Sequence, residues 1–233
     1  MVNYQYAYLI GDIILLIVWL ILFYWRKDTR KEILIISFIF GIIGLLVDPV
    51  YAIDWWKVST ITNTMPGIES FLFGFATAGI ASIIYSELSS KRLKIKRAQK
   101  REDKRKNINF LLLLLLGVLL FYGSFFLLHL NSLQSSLPTL LIPTLIIWIK
   151  RRDLIINSLT SGFLLMIISF TFYHVPEIIF PGWLGIVWNF NMLSGITIFK
   201  VVIEDLIWFF LSGMLIGPLY EYWQEAKLIN KRK

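Results

Sequence analysis

The sequence predicts an all-α integral membrane protein. Its seven transmembrane helices form a 3+1+3 parallel internal repeat, with the N-terminus outside and the C-terminus cytoplasmic. Three observations predict this. Of 233 residues, 57% are hydrophobic and only 16% are charged, where soluble domains carry about a quarter; the mean hydropathy is +0.70. Seven apolar segments interrupt the charged and turn-forming runs. All of the 23 Lys and Arg residues except Lys57 and Lys200 fall at 26–31, 91–106, 150–152 and in the tail from Lys227. They therefore recur after every second segment, which is the positive-inside pattern.

The segments are 7–25, 33–53, 66–88, 108–129, 137–149, 154–173 and 198–220. About 20 apolar residues cross a hydrocarbon core of about 30 Å. The fifth segment is short and carries Pro138 and Pro143. To span, it must borrow residues from 132–136, tilt little or thin the bilayer locally. The first segment lacks the basic lead and small-residue site of a cleaved signal peptide. The external side then holds 1–6, 48–65, 130–136 and 174–197. The expected location is the cell membrane, as a multi-pass protein.

Some chemistries are excluded. There are no cysteines, hence no disulfides or thiolate metal sites. The two histidines, His129 and His174, lie in different segments and give no metal signature. No metal or cofactor is implied. The basic stretch Lys91–Lys106 reads as a solvated connector that fixes topology. It is also a candidate contact for anionic lipid, at about 1 kcal/mol per basic residue. It has no interleaved aromatics, so nucleic acid is not an expected partner. The oligomeric state stays open.

The chain also reads as duplicated. Ile68-Glu69-Ser70-Phe71-Leu72-Phe73 in the third segment parallels Ile203-Glu204-Asp205-Leu206-Ile207-Trp208 in the seventh. Asp48-Pro49 followed by Trp56 parallels His174-Val175-Pro176 followed by Trp183 and Trp188. This divides the chain into a first three-helix unit (1–90), a basic loop with linker helix (91–131) and a second unit with its tail (132–233). One linker helix makes the two units run the same way, related by a pseudo-twofold axis along the membrane normal.

Glu69 and Glu204 thereby reach equivalent depths, about one turn inside the external end. A carboxyl within a span is costly, about 2.5–3.5 kcal/mol at the centre, and marks function by default. The simpler alternative is that each caps its helix N-terminus, and Pro66 at the first turn of the third segment favours it. Asp48 and His174 occupy nearly equivalent places and are the next candidates, with Asp205 and Asn191 at the same end. Trp56 and Trp188 fit either an interfacial belt or an aromatic lining for positive charge, and Trp208 and Phe73 fit either lipid- or core-facing packing or that same lining.

Residues 188–210, WNFNMLSGITIFKVVIEDLIWFF, resemble the signature of the lycopene cyclase domain family. Those are small membrane-embedded carotenoid cyclases built from three-helix units used in pairs. The resemblance extends over roughly 5–90 and 135–225. Gly67 and Val202 stand where the family usually has a proline two residues before the acid, and Ser70 stands opposite Asp205. The resemblance implies a lipophilic polyene or other isoprenoid substrate and an intramolecular lyase or isomerase reaction. In that reaction a carboxylic acid protonates a terminal alkene, an internal alkene closes the ring, and a base removes a proton. A carboxyl in low dielectric can stay protonated as a donor, and a neighbouring pair separates into acid and base. Glu204 and Glu69 would be acid and base in either order, with Asp205 tuning them or acting as alternate acid. Trp56, Phe73, Trp188, Asn191, Trp208, Asp48 and His174 would bind substrate.

Two other readings stay open: a small-solute transporter of the same 3+1+3 type, and a non-catalytic carotenoid- or lipid-binding member. A retinal receptor needs a lysine midway along helix seven, and Lys200 sits at its edge.

Overall fold

A computed structural model describes residues 4–94 and 100–230. Lys96 and Arg97 of the basic run, and Lys231–Lys233 of the tail, lie outside the described residues. The helices are α1 (Ala7–Trp25), α2 (Arg30–Asp54), α3 (Ile68–Leu88), α4 (Lys100–Phe126), α5 (Ser132–Lys150), α6 (Ile155–Ile179), α7 (Ile203–Ile216) and α8 (Leu219–Gln224). Four short strands join them: β1 (Lys91–Lys94), β2 (Thr197–Ile198), β3 (Val201–Val202) and β4 (Lys227–Asn230). With α7 and α8 taken as one span, seven helices among the described residues are long and apolar enough to cross a membrane. That is the pattern of a multi-pass membrane protein.

The boundaries differ from the sequence reading for local reasons. The fifth segment does borrow 132–136. The Asn131 side chain accepts from Gln134 N at 2.8 Å, and the Gln134 side chain returns the bond to Asn131 N. This capping box starts α5 six residues before Pro138, and the helix reaches 19 residues with both prolines inside. The Asp54 carboxylate at the end of α2 also accepts from the Ser132 amide and hydroxyl, a favourable place for an anion. α6 runs through Pro176 to Ile179, so His174-Val175-Pro176 do not end it. α7 starts only at Ile203, because Phe199 and Lys200 turn the chain into a β2–β3 hairpin. Both carry left-handed backbones, with φ of 48° and 66°, as a two-residue hairpin turn of type I′ requires. Pro66 precedes the N-cap Gly67 of α3 and is not in its first turn. Within the predicted basic connector, 91–94 form β1, and α4 is already helical from Lys100.

The most extensive packing joins α2 to α3 and α6 to α7; α1 lies against α3 and α6, and α5 against α7. Small residues allow the close approach. A Cβ on Gly44 would collide with the Ser70 carbonyl, and one on Gly74 with the Phe40 carbonyl. Gly162 meets Phe210 and Gly213 meets Ser161 in the same way. In a bilayer, where apolar surface gains little by leaving lipid, such backbone contact is what packs helices. α4 lies outside this set, against α5 and α8, and is tied to α2 by the Tyr122 hydroxyl on the Leu46 carbonyl at 2.8 Å.

Matching contacts occur at both ends. At the arginine end, Arg26 forks onto Asp28 (3.0 and 3.1 Å) and donates to the Lys91 carbonyl (2.8 Å). Arg151 forks onto Asp153 (2.8 and 2.7 Å) and donates to the Ala226 carbonyl (2.9 Å). Burial opposes the charge on Arg26, but its bonds to Asp28 and Glu87 outweigh this and raise its pKa above the ordinary value. β1 and β4 pair antiparallel, with Leu93 opposite Leu228. At the tryptophan end, Lys57 N donates to the Val187 carbonyl (2.6 Å) and Asn189 N to the Trp55 carbonyl (2.8 Å). These two bonds set Trp56 opposite Trp188.

Candidate functional site

A cavity of about 170 Å³ opens among α2, α3, α4, α5 and α7. Its walls are mostly apolar: Val47 on α2, Phe73 on α3, Leu113 and Phe121 on α4, Pro143 on α5, Trp208 and Phe209 on α7. Its lining includes two carboxyl groups, Asp48 and Asp205, only 4% and 3% exposed.

Each aspartate is held by a tryptophan and a hydroxyl. The amides of Trp55 and Trp56 both bond to the Tyr51 carbonyl, ending α2 in a tight reversal. That reversal folds the Trp56 indole back onto Asp48 Oδ1 at 2.9 Å. Ser70, in the first turn of α3, donates to Asp48 Oδ2 at 2.5 Å and accepts from the Gly67 amide. In the second half, the Trp188 indole donates to Asp205 Oδ2 at 2.6 Å, and the Tyr173 hydroxyl donates to the same oxygen at 2.5 Å. Trp188 is delivered by a turn that Glu177 pins, through the Gly182 and Leu184 amides. Where the aspartate is ionised, bonds of this kind are about twice as strong as neutral ones.

The aromatic groups form one wall. Trp208 stacks on Phe73 at 6.0 Å and meets Tyr51 and Trp55 edge-on at 6.2 and 6.1 Å. Its indole donates to the Tyr51 hydroxyl at 3.2 Å, which also shares a hydrogen bond with Ser136 at 3.1 Å. Several π faces thus border the space beside Asp205, the surroundings that favour positive charge.

The predicted residues divide accordingly. Asp48, Trp56, Phe73, Asp205 and Trp208 line the cavity, and Trp188 stands behind Asp205. Glu69 and Glu204 are not on its wall. Glu69 Oε1 accepts the Ile61 amide at 2.7 Å, and Glu204 Oε1 accepts the Ser194 amide at 2.6 Å. Each glutamate therefore ties the preceding loop to its own helix. The remaining oxygen of each is buried without a hydrogen-bond partner. His174 bonds the Phe170 carbonyl of its own helix, and Asn191 is exposed in a short turn. The neighbour of His174, Tyr173, makes the contact instead.

Sequence reasoning missed Tyr51, Trp55, Tyr173, Tyr8 and Asp12. Asp12 had a usable signal: it is the one ionisable residue between Ala7 and Trp25 other than tyrosines, and such a residue inside a span is a functional candidate. Tyr8 and Asp12 are both fully buried on α1. The tyrosines and Trp55 carried no signal separating them from belt aromatics.

Residues 131–223 match the sequence model of the family described as lycopene cyclase. No curated protein and no solved structure matches the chain. The matched stretch runs from the cap of α5 into α8 and contains Tyr173, Trp188, Glu204, Asp205 and Trp208. Over that stretch the chain resembles the lycopene cyclase family, which supports a carotenoid-cyclase-like role with a lipophilic carotenoid substrate.

Proposed function

We propose that the protein cyclises the end group of a linear polyene such as lycopene, with Asp205 and Asp48 as acid and base. One observation carries this: two tryptophan-held aspartates border the same apolar, aromatic-walled cavity. The Tyr173 and Trp188 hydrogen bonds to Asp205 both fall on Oδ2, and in this reading Oδ1 carries the proton. Asp48 takes one donor on each oxygen, an arrangement suited to the anion.

In this reading the Asp205 O–H bond breaks as a C–H bond forms on the terminal alkene. The tertiary cation is attacked by an internal double bond, closing a six-membered ring. Asp48 then takes a proton from a ring carbon, leaving a cyclohexene. Substrate and product are isomers, and no electrons are exchanged. The faces of Trp208, Tyr51 and Phe73 stabilise the cations, and the apolar wall keeps out water that would trap them. Glu69 and Glu204 anchor the loops that carry Trp56 and Trp188.

The same reading includes two three-helix units, 1–90 and 132–233, oriented alike about a pseudo-twofold axis, with 91–131 as connector. The matching arginine forks, the Leu93–Leu228 pair and the Trp56–Trp188 pair support it.

The test is expression in a lycopene-producing bacterium followed by pigment chromatography. A cyclised product of unchanged mass is expected, and it should vanish in Asp205→Asn and Asp48→Asn. Unchanged lycopene beside well-expressed wild-type protein overturns the proposal.

A further inference from the structure

Redox-neutral cyclisation leaves a proton in the wrong place. After one turnover the acid has lost a proton and the base has gained one. The cavity that separates them is mostly apolar, so the protein needs another way to restore the pair.

A second polar set lies on α1, where the Tyr8 ring packs against Trp56 and Phe73. Asp12 is 0% exposed and neither of its oxygens has a hydrogen-bond partner. Tyr8, one turn earlier, is also 0% exposed, and its hydroxyl has none either. Glu69 Oε2, on α3, is a fourth such atom and belongs to a third residue. Buried polar atoms are nearly always satisfied, so three groups together require an explanation. Among the described residues no cluster of His, Asp or Glu is arranged to hold a metal ion. The groups acting on Asp12 are Glu69 and Asp48, and those acting on Tyr8 are Asp48, Asp12, Tyr173 and Glu69.

The geometry places Tyr8 between the two sites. Its ring meets Trp56, which holds Asp48, edge-on at 5.1 Å. It meets Phe172 at 6.2 Å, and the next residue, Tyr173, donates to Asp205. The register of α1 is fixed here, because Gly11 lies so close to the Phe172 ring that a Cβ would stand 2.6 Å from it.

Building on the acid–base reading above, we propose that Tyr8 and Asp12 form a proton-return route from Asp48 to Asp205, in which Tyr173 passes its proton to Oδ2 and the carboxyl then rotates to present it to the cavity. Every transfer exchanges one O–H bond for another, with ordered water filling the gaps between the unsatisfied oxygens. Tyr8 and Asp12 touch no substrate; they act through the aspartates.

The experiment follows deuterium. The purified full-length protein converts lycopene in D₂O over many turnovers, and the label in each ring is counted by mass spectrometry. If the removed substrate proton is returned internally, the wild-type product carries less than one deuterium per ring. In Tyr8→Phe and in Asp12→Asn, the acid is reloaded from solvent. The label then rises towards one per ring, and the steady-state rate falls roughly 100-fold. Asp12→Glu should restore the low label. A second readout needs no substrate: the infrared carboxylic-acid band should shift in D₂O and lose intensity in Asp12→Asn. Equal labelling in wild type and Tyr8→Phe, or a band indifferent to Asp12→Asn, overturns the route alone. A wild type that leaves lycopene unchanged overturns the cyclase reading, and the route with it.

Discussion

Trp56 and Trp188 face each other across a single antiparallel bridge, and each turns its indole N–H onto a buried aspartate. The two sites are built from the same three groups but distribute them differently. In the first half α2 supplies the carboxyl, Asp48, and α3 the hydroxyl, Ser70. In the second half α6 supplies the hydroxyl, Tyr173, and α7 the carboxyl, Asp205. Replacing either tryptophan by phenylalanine keeps the ring and removes the donor. A hydrogen bond to a charged group is worth about 1.5–3 kcal/mol. Trp188→Phe and Trp56→Phe should therefore each slow product formation by roughly 10–100-fold, measured as product per mole of folded protein.

The carboxyl groups can be told apart by amide substitution. Asp205→Asn and Asp48→Asn remove the proposed acid and base, and product should fall below detection. Glu69→Gln and Glu204→Gln keep an acceptor oxygen for the Ile61 and Ser194 amides. Both should retain most activity and lose at most about 1–2 kcal/mol of stability. Abolished product in a well-folded Glu204→Gln would return the acid role to the glutamates.

This contrast marks what the sequence could disclose. The apolar runs and basic punctuation carry seven spans, because bilayer thickness and charge placement act on composition alone. The paired glutamates were visible because both follow Ile in aligned segments. What they bond to was not, since Ile61 and Ser194 reach them through loop backbone. Ser70 looked like a missing acid, yet its carboxyl partner, Asp48, comes from another helix. The exchange of groups between helices exists only in three dimensions. His174 was one residue from the mark, because α6 continues past Pro176 and presents Tyr173 to Asp205 instead.

Helix contact through glycine gives a stability prediction. Gly44→Ala sets a methyl group against the Ser70 carbonyl, backbone that cannot move without shifting the bond to Asp48. Overpacking of this kind costs about 1–3 kcal/mol. A lower unfolding temperature in detergent is expected, together with reduced activity. Gly123→Ala on α4, with nothing within 4 Å, should leave both unchanged.

The two arginine forks should differ in weight. Arg26 is 2% exposed and binds Asp28, Glu87 and the Lys91 carbonyl. Arg26→Met should cost about 1.5–3 kcal/mol. The Arg151 fork binds Asp153, which is 55% exposed, so Asp153→Asn should cost less than about 1 kcal/mol. Thermal unfolding of the two variants gives the comparison.

The absence of cysteine makes the topology directly testable. A Leu93→Cys, Leu228→Cys double variant should cross-link readily, since those residues pair directly. A thiol reagent that cannot cross the bilayer should label Phe199→Cys from outside the cell. It should label Arg105→Cys only after the membrane is opened. The reverse pattern would invert the predicted orientation.

The position of α4 bears on how the halves could be separated. It packs on α5 and α8, yet Leu113, Gly117 and Phe121 face the chamber opposite the α2 and α3 walls. The segment that joins the halves is therefore also a side of the cavity. Two separately made halves would not be equivalent pieces: the one that kept α4 would carry a wall of the cavity that the other lacks.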